Sequence, residues 1–146
     1  MSRQPDVQPI GRQVAFTAKL LAQEFNAALV EVGGSLPIWL VLNALERDDW
    51  PSQQGIAQAL GIEGPTLTRH LDALEAMGLV ERRRDAADRR VVRVETTEAG
   101  RDLHRRLLTA AIAFDKRLRK GFHDAEIDEL RALLRRLEAN LGAAPP

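Results

Sequence analysis

From residue 9 onward, apolar positions recur at Ile10, Val14, Leu21, Phe25, Leu29 and Val32, with Phe16 and Leu20 widening the stripe. That spacing predicts a first helix, Pro9 to about Val32, broad enough in its apolar face to bury more than one side. Gly33-Gly34 stop it, and Ser35 as N-cap with Pro37 in the first turn opens a second helix to about Arg47. Asp48-Asp49 break that helix, and Trp50-Pro51 lead extended chain to Ser52, which caps a third helix ending at Leu60-Gly61. Gly64 and Pro65 start a fourth, with proline at the first helical position, where its missing N–H costs nothing. Leu67, Leu71 and Leu74 fall on its core side, and Gly78 ends it.

A rotation of about 100° per residue turns Arg69 almost directly away from those leucines. Thr66 and His70 lie on one flank of Arg69 and Thr68 on the other, so the exposed front offers donors suited to base edges and phosphates. Then the period changes. Leu79 to Arg84 and Val91 to Thr97 are short β-branched or alternating runs around the loop DAADRR, predicting two antiparallel strands with Val92 and Val94 inward and Arg93 and Glu95 outward. Thr97 caps a long fifth helix carrying Leu103, Leu107, Ala111, Phe114 and Leu118, which ends near Gly121. Asp124 is placed as the cap of a sixth, where Ile127, Leu130, Leu134, Leu137 and Leu141 alternate in threes and fours like the seam of a packed helix pair. The tail Gly142 to Pro146 is read as loose.

Two short helices meeting at a Gly-containing turn, followed by a hairpin, make a winged helix-turn-helix, a device that sets one helix in the major groove and one loop in the minor groove. The fold class is mainly α with a small β-wing (α+β). One domain, 1–146, is expected to hold a DNA-binding lobe at 35–97 and a helical dimerisation region at 9–33 and 98–141. The terminal helices carry more apolar surface than so small a lobe can cover. An internal helical bundle is one account of it. A symmetric dimer is preferred, because a helix-turn-helix reads two half-sites about one DNA turn apart.

Composition adjusts this picture in two places. The formal net charge of +0 looks wrong for a nucleic-acid binder, but the charge is uneven. Six arginines (82, 83, 84, 89, 90 and 93) stand against two aspartates (85 and 88) between Arg82 and Arg93, whereas the first 63 residues carry 4 basic and 7 acidic side chains. A local arginine cluster can hold phosphates while the rest of the chain stays neutral. Cysteine is absent, which removes disulfides, thiolate metal sites and cysteine redox switches within the sequence. No apolar run reaches the roughly 20 residues a bilayer needs and no signal-peptide pattern opens the sequence, so no membrane partner and a cytoplasmic location are expected.

The stretch IEGPTLTRHLDALEAMGLVERRRDAADRRVVRV, followed by TEAG, resembles the MarR family of bacterial regulators, especially its SlyA-like members. The resemblance covers nearly the whole chain. Its wing pattern is Asp-x-Arg, a three-residue gap, Val or Leu, then after one more residue Leu-Thr-x-x-Gly. Asp88, Arg90, Val94, Thr97 and Gly100 match it in register, and Thr96 departs from it where an apolar residue is usual. The resemblance implies a triangular homodimer closed by the terminal helices, a pseudo-palindromic double-stranded operator, and, for many members, release by a small phenolic or lipophilic effector.

It also implies roles. Arg90 is expected to reach into the minor groove, which attracts guanidinium most where A·T tracts narrow it. Asp88 braces the turn or orients an arginine, and Arg84 and Arg89 are candidate phosphate contacts. Pro65, Thr66, Thr68, Arg69 and His70 match groove-facing positions; whether Arg69 reads a guanine or holds a phosphate is open. Ile10, Val14, Ile127, Leu130, Leu134, Leu137 and Leu141 are the candidate dimer interface. Phe16, Lys19 and Trp39 are candidates to line an effector pocket, ordinary core packing being the competing reading for Phe16 and Trp39.

Other functions leave weaker traces. No nucleophile–base arrangement supports an enzyme, and His70, His104 and His123 are scattered. His123 and Glu126 share an i, i+3 face, too few ligands for a metal-responsive regulator, so neither metal nor cofactor is expected. A helical dimerisation module without specific DNA binding remains as an alternative, but a wing with no DNA to meet has no need of six arginines.

Overall fold

A computed structural model describes residues 9–143, so residues 144–146 of the tail read as loose lie outside the described residues. Six helices and one two-stranded sheet follow in the order α1 (Ile10–Glu31), α2 (Leu36–Arg47), α3 (Gln53–Leu60), α4 (Gly64–Ala76), β1 (Val80–Arg84), β2 (Val92–Thr96), α5 (Glu98–Leu118) and α6 (Asp124–Asn140). The local signals set these bounds. Ser35 Oγ accepts from Ile38 N at 3.4 Å and Ser52 Oγ from Gly55 N at 3.2 Å, each satisfying an orphan amide of its helix. Gly61 closes α3 at φ 64°, a left-handed position that glycine takes without strain, and this is the turn of the helix-turn-helix.

Two starts differ from expectation. Pro65 is the second residue of α4, because Gly64 already has helical geometry and Glu63 is the cap. At α6 the cap is His123, not Asp124: the Glu126 carboxylate accepts from His123 N at 2.7 Å, while Asp124 receives Arg119 at 3.2 Å. The glutamate three residues into the helix out-competes the aspartate, whose carboxylate is engaged elsewhere.

Contacts divide the chain into two compact units, one ending at Ala111 and the other beginning at Ile112. The first holds the core. Leu29 of α1, Val41 and Leu42 of α2, Ile56 of α3, Leu67, Leu71 and Leu74 of α4, Val80 of β1 and Leu103 and Leu107 of α5 are buried in one cluster. Strands β1 and β2 pair antiparallel with Val80 opposite Thr96 and Arg84 opposite Val92. In the second unit α6 buries none of its residues.

The wing is fixed to α5 by the Thr-x-x-Gly segment. Thr97 N donates to Leu79 O at 3.0 Å, and Thr97 Oγ1 donates to Gly78 O at 2.6 Å while accepting from Gly100 N at 3.1 Å. Gly100 lies so close over the Leu79 carbonyl that a Cβ there would collide with it. Thr96, the departure from the family pattern, is half-buried, with its Cγ2 methyl facing Gly100.

Candidate nucleic-acid interface

Helix α4 buries Leu67, Leu71 and Leu74 almost completely, which aims Arg69 outward as its spacing requires. Pro65, Thr68 and Arg69 are exposed, and Thr66 is half-buried beside them. Thr68 Oγ1 donates to Gly64 O at 3.0 Å, so its hydroxyl meets a ligand as an acceptor unless that bond is exchanged. His70 lies on the flank of Arg69 where its spacing puts it. It is half-buried and lines a crevice of about 170 Å³ with Ser35, Pro37 and Ile38 at the start of α2, which places it on the α2 side of the helix and not on its exposed front.

The loop at the wing tip is organised by two aspartates. Asp85 Oδ1 accepts from Ala87 N at 2.7 Å and Asp88 N at 3.3 Å, and its other oxygen holds Arg93 Nε. The Arg93 guanidinium, helped by those two amides, holds the Asp85 carboxyl below its ordinary value of 3.8. Asp88 Oδ1 in turn accepts from Arg90 N at 3.0 Å and Arg90 Nε at 3.3 Å. It therefore both braces the turn and orients the arginine. Arg90 is 94% exposed, so the pair adds little to stability and presents a guanidinium already aimed outward. Arg84 Nη1 donates to Arg89 O at 3.1 Å, and Arg89 is exposed beside Arg90.

The six arginines are not equivalent. Arg83 and Arg93 face each other across the outer side of the sheet, as do Glu81 and Glu95. Like charges directly opposite destabilise a strand pair. They are relieved along and beyond the strands: Arg83 binds Glu81 at 2.8 Å, and Arg93 binds Asp85. Arg82 lies on the inner side, where its Nε meets Glu75 at 2.6 Å and its Nη2 meets Asp72 at 2.5 Å. The sequence reading sets the six against Asp85 and Asp88 and takes Arg84, Arg89 and Arg90 as the DNA contacts; it does not foresee that Glu75, Asp72 and Glu81 are also engaged. Four are paired with carboxylates of the lobe, Arg82, Arg83, Arg93 and Arg90, but Arg90 stays 94% exposed on Asp88, so it joins Arg84 and Arg89 at the exposed tip. For Arg82 the signal is legible in the strand parity, since it shares a side with Val80; Arg84 shares that side too but lies at the end of β1 and is exposed.

The other expected sites are distributed as follows. Ile10, Leu130, Leu134, Leu137 and Leu141 are exposed apolar side chains, and Val14 and Ile127 are half-buried. Phe16 is 65% exposed on α1 and Lys19 is exposed, so core packing does not account for Phe16. Trp39 is packed in the first unit: its ring meets Phe25 edge-on at 6.2 Å and stacks on His104 at 5.7 Å, and His104 Nε2 lies 3.3 Å from Asn43 Oδ1.

A family model described as the MarR family matches residues 35–91, the span from the cap of α2 to the wing tip. Beyond that span, the solved structure of the transcriptional regulator PA3341 is 35% identical and covers 92% of this chain and 98% of its own, with a TM-score of 0.78. The chain belongs to the MarR family. Two structures of another regulator are also similar. CouR from Rhodococcus jostii RHA1 bound to p-coumaroyl-CoA is 27% identical over 92% of this chain and 95% of its own, with a TM-score of 0.77. The transcriptional repressor CouR bound to a 23-mer DNA duplex is 25% identical over 94% of this chain and 98% of its own, with a TM-score of 0.83. This MarR-family chain is accordingly a winged-helix transcriptional regulator and not an enzyme. Among its described residues no single helix is long and apolar enough to cross a membrane.

Proposed function

We propose that the chain is a homodimeric repressor that binds a pseudo-palindromic duplex in the cytoplasm, with α4 in the major groove and the wing at the flanking minor groove of each half-site. The observation that carries this reading is Arg90. A guanidinium 94% exposed at a loop tip, anchored by one carboxylate and flanked by a second exposed arginine, suits a narrow anionic groove. Arg69 on the front of α4 supplies the base or phosphate contact. The DNA-bound repressor CouR supports the same use of the fold.

The homodimer rests on the uncovered apolar side chains of both terminal helices, Ile10 on α1 and Leu130, Leu134 and Leu137 on α6. A second copy is the partner that closes them, with residues 9–33 and 98–141 as the dimerisation region. An aromatic or lipophilic effector acting near Phe16, Lys19 and Trp39 would release the DNA, a reading supported by the p-coumaroyl-CoA complex of CouR.

The test is binding to a fluorescent duplex from the gene's own upstream region, titrated against salt and competitor DNA. Two chains per site, resisting competitor, are expected. Binding that competitor abolishes equally would overturn the specific-operator reading, and a monomer by sedimentation at micromolar concentration would overturn the dimer.

A further inference from the structure

Recognition helix α4 and the wing are joined in sequence at Met77–Gly78, and buried Leu79 and Val80 seat the root of the wing in the core. Met77 and Gly78 separate the end of α4 from Leu79 and β1, and Gly78 has φ 71°, a conformation free of strain only for glycine. Two DNA-reading elements on either side of such a junction need something to fix the angle between them. Leu79 N donates to Leu74 O at 2.9 Å, and Thr97 Oγ1 binds Gly78 O at 2.6 Å. Both bonds act at the junction itself, where they resist rotation with a short lever arm.

Arg82 acts further out. Its Nε and Nη2 reach two carboxylates one turn apart on α4, Glu75 at 2.6 Å and Asp72 at 2.5 Å. Helical rotation puts both acids on the flank of α4 that packs against β1, away from the Thr66 and His70 flank. The Arg82 side chain is only 24% exposed, with Asp72 and Glu75 more open. Hydrogen bonds from Glu75 first, then Asp72, raise the Arg82 pKa above its ordinary value, so the guanidinium is a fixed cation. A planar fork bridging two acceptors fixes direction as well as distance, which a lysine ammonium does not.

We infer that Arg82, held by Asp72 and Glu75, is a positioning residue: it locks the wing to the recognition helix so that the groove-reading helix and the wing-tip arginine meet DNA in one fixed geometry. This rests on the DNA-binding function proposed above. It makes a counter-intuitive claim about sign. Removing negative charge from a DNA-facing helix ordinarily strengthens binding through the phosphates. Here, neutralising Asp72 and Glu75 weakens specific binding, because it lets the outer part of the wing bend about its fixed root.

The experiment compares Asp72→Asn/Glu75→Gln, Arg82→Gln, Arg82→Lys and the triple Asp72→Asn/Glu75→Gln/Arg82→Gln with wild type on the upstream duplex and on a scrambled duplex, across a salt series. Each of the first three is expected to lose specific affinity by about five- to tenfold with the salt slope unchanged, scrambled-duplex binding being no weaker in the carboxylate variant, and the triple variant to lose no more than Arg82→Gln alone. Arg82 as a phosphate contact predicts otherwise: Arg82→Gln lowers the salt slope by about 1, Arg82→Lys binds like wild type, and the carboxylate variant binds more tightly. Any of those results overturns the lock. Hydrogen exchange without DNA separates this from failure of the functional reading. Even if wild type favours no duplex, amides of β1 and β2 should exchange about two- to fivefold faster in the carboxylate variant, and unchanged exchange overturns the lock by itself.

Discussion

Helices α4 and α6 carry leucines at the same alternation of threes and fours, yet they end in opposite states. Leu67, Leu71 and Leu74 on α4 are buried to 1% exposure or less, while α6 buries nothing and Leu141 just beyond it is 88% exposed. One stripe is closed within the chain and the other is open. The arginines of the wing divide in the same way: Arg82 and Arg93 find carboxylates inside the lobe, while Arg89 and Arg90 face outward. Sequence spacing tells which side of an element is apolar or charged; only the fold tells whether its partner lies in the same molecule. A closed group should be read out in stability, and an open one in association.

The largest expected effect is on the closed stripe. Leu71→Ala should cost about 2–5 kcal/mol, seen as a lowered midpoint in denaturant titration, whereas Leu134→Ala should change the stability of the separated chain by less than about 0.5 kcal/mol. An equal loss from both would erase the contrast. The open stripe is sharpened by Leu134→Glu, which should sediment as a monomer and lose the concentration dependence of its melting temperature. Gly100→Ala comes next. Its new methyl meets the Leu79 carbonyl, so about 1–3 kcal/mol should be lost by thermal melting. Arg90→Ala should leave melting unchanged and weaken specific duplex binding by about 1–3 kcal/mol.

The smallest effect is a pH dependence at Asp85. Its carboxyl is held below 3.8 in the folded wing, chiefly by Arg93 and then by the Ala87 and Asp88 amides, so the unfolded chain takes up that proton first as pH falls. The stabilisation is fully present above the ordinary carboxylate range and is lost as pH drops through the lowered value. Asp85→Asn should therefore melt below wild type at pH 7, and the gap should close below about pH 4. A gap that persisted undiminished at pH 3 would mean the carboxylate charge is not what braces the loop.

Much of the fold was legible because it is written locally. Ser35 and Ser52 cap where the sequence places them, Gly61 and Gly78 turn where they must, and the a/d-like spacing finds all six helices. The misses are of another kind. His123 displaces Asp124 as a cap because Asp124 is drawn to Arg119. The Arg82 bridge spans separations of 7 and 10 residues across a turn, beyond any local period. Alternation along the strands found the wing, and counting charges marked its tip. It did not show which charges were already spent.

The meeting of Thr97 and Gly100 with Leu79 has one more consequence. A joint with a hydroxyl bonded to both sides and no room for even a methyl group cannot slip. The first turn of α5 and the root of β1 are therefore geared together. A tilt applied to that turn cannot be absorbed at the joint; it swings the hairpin with it.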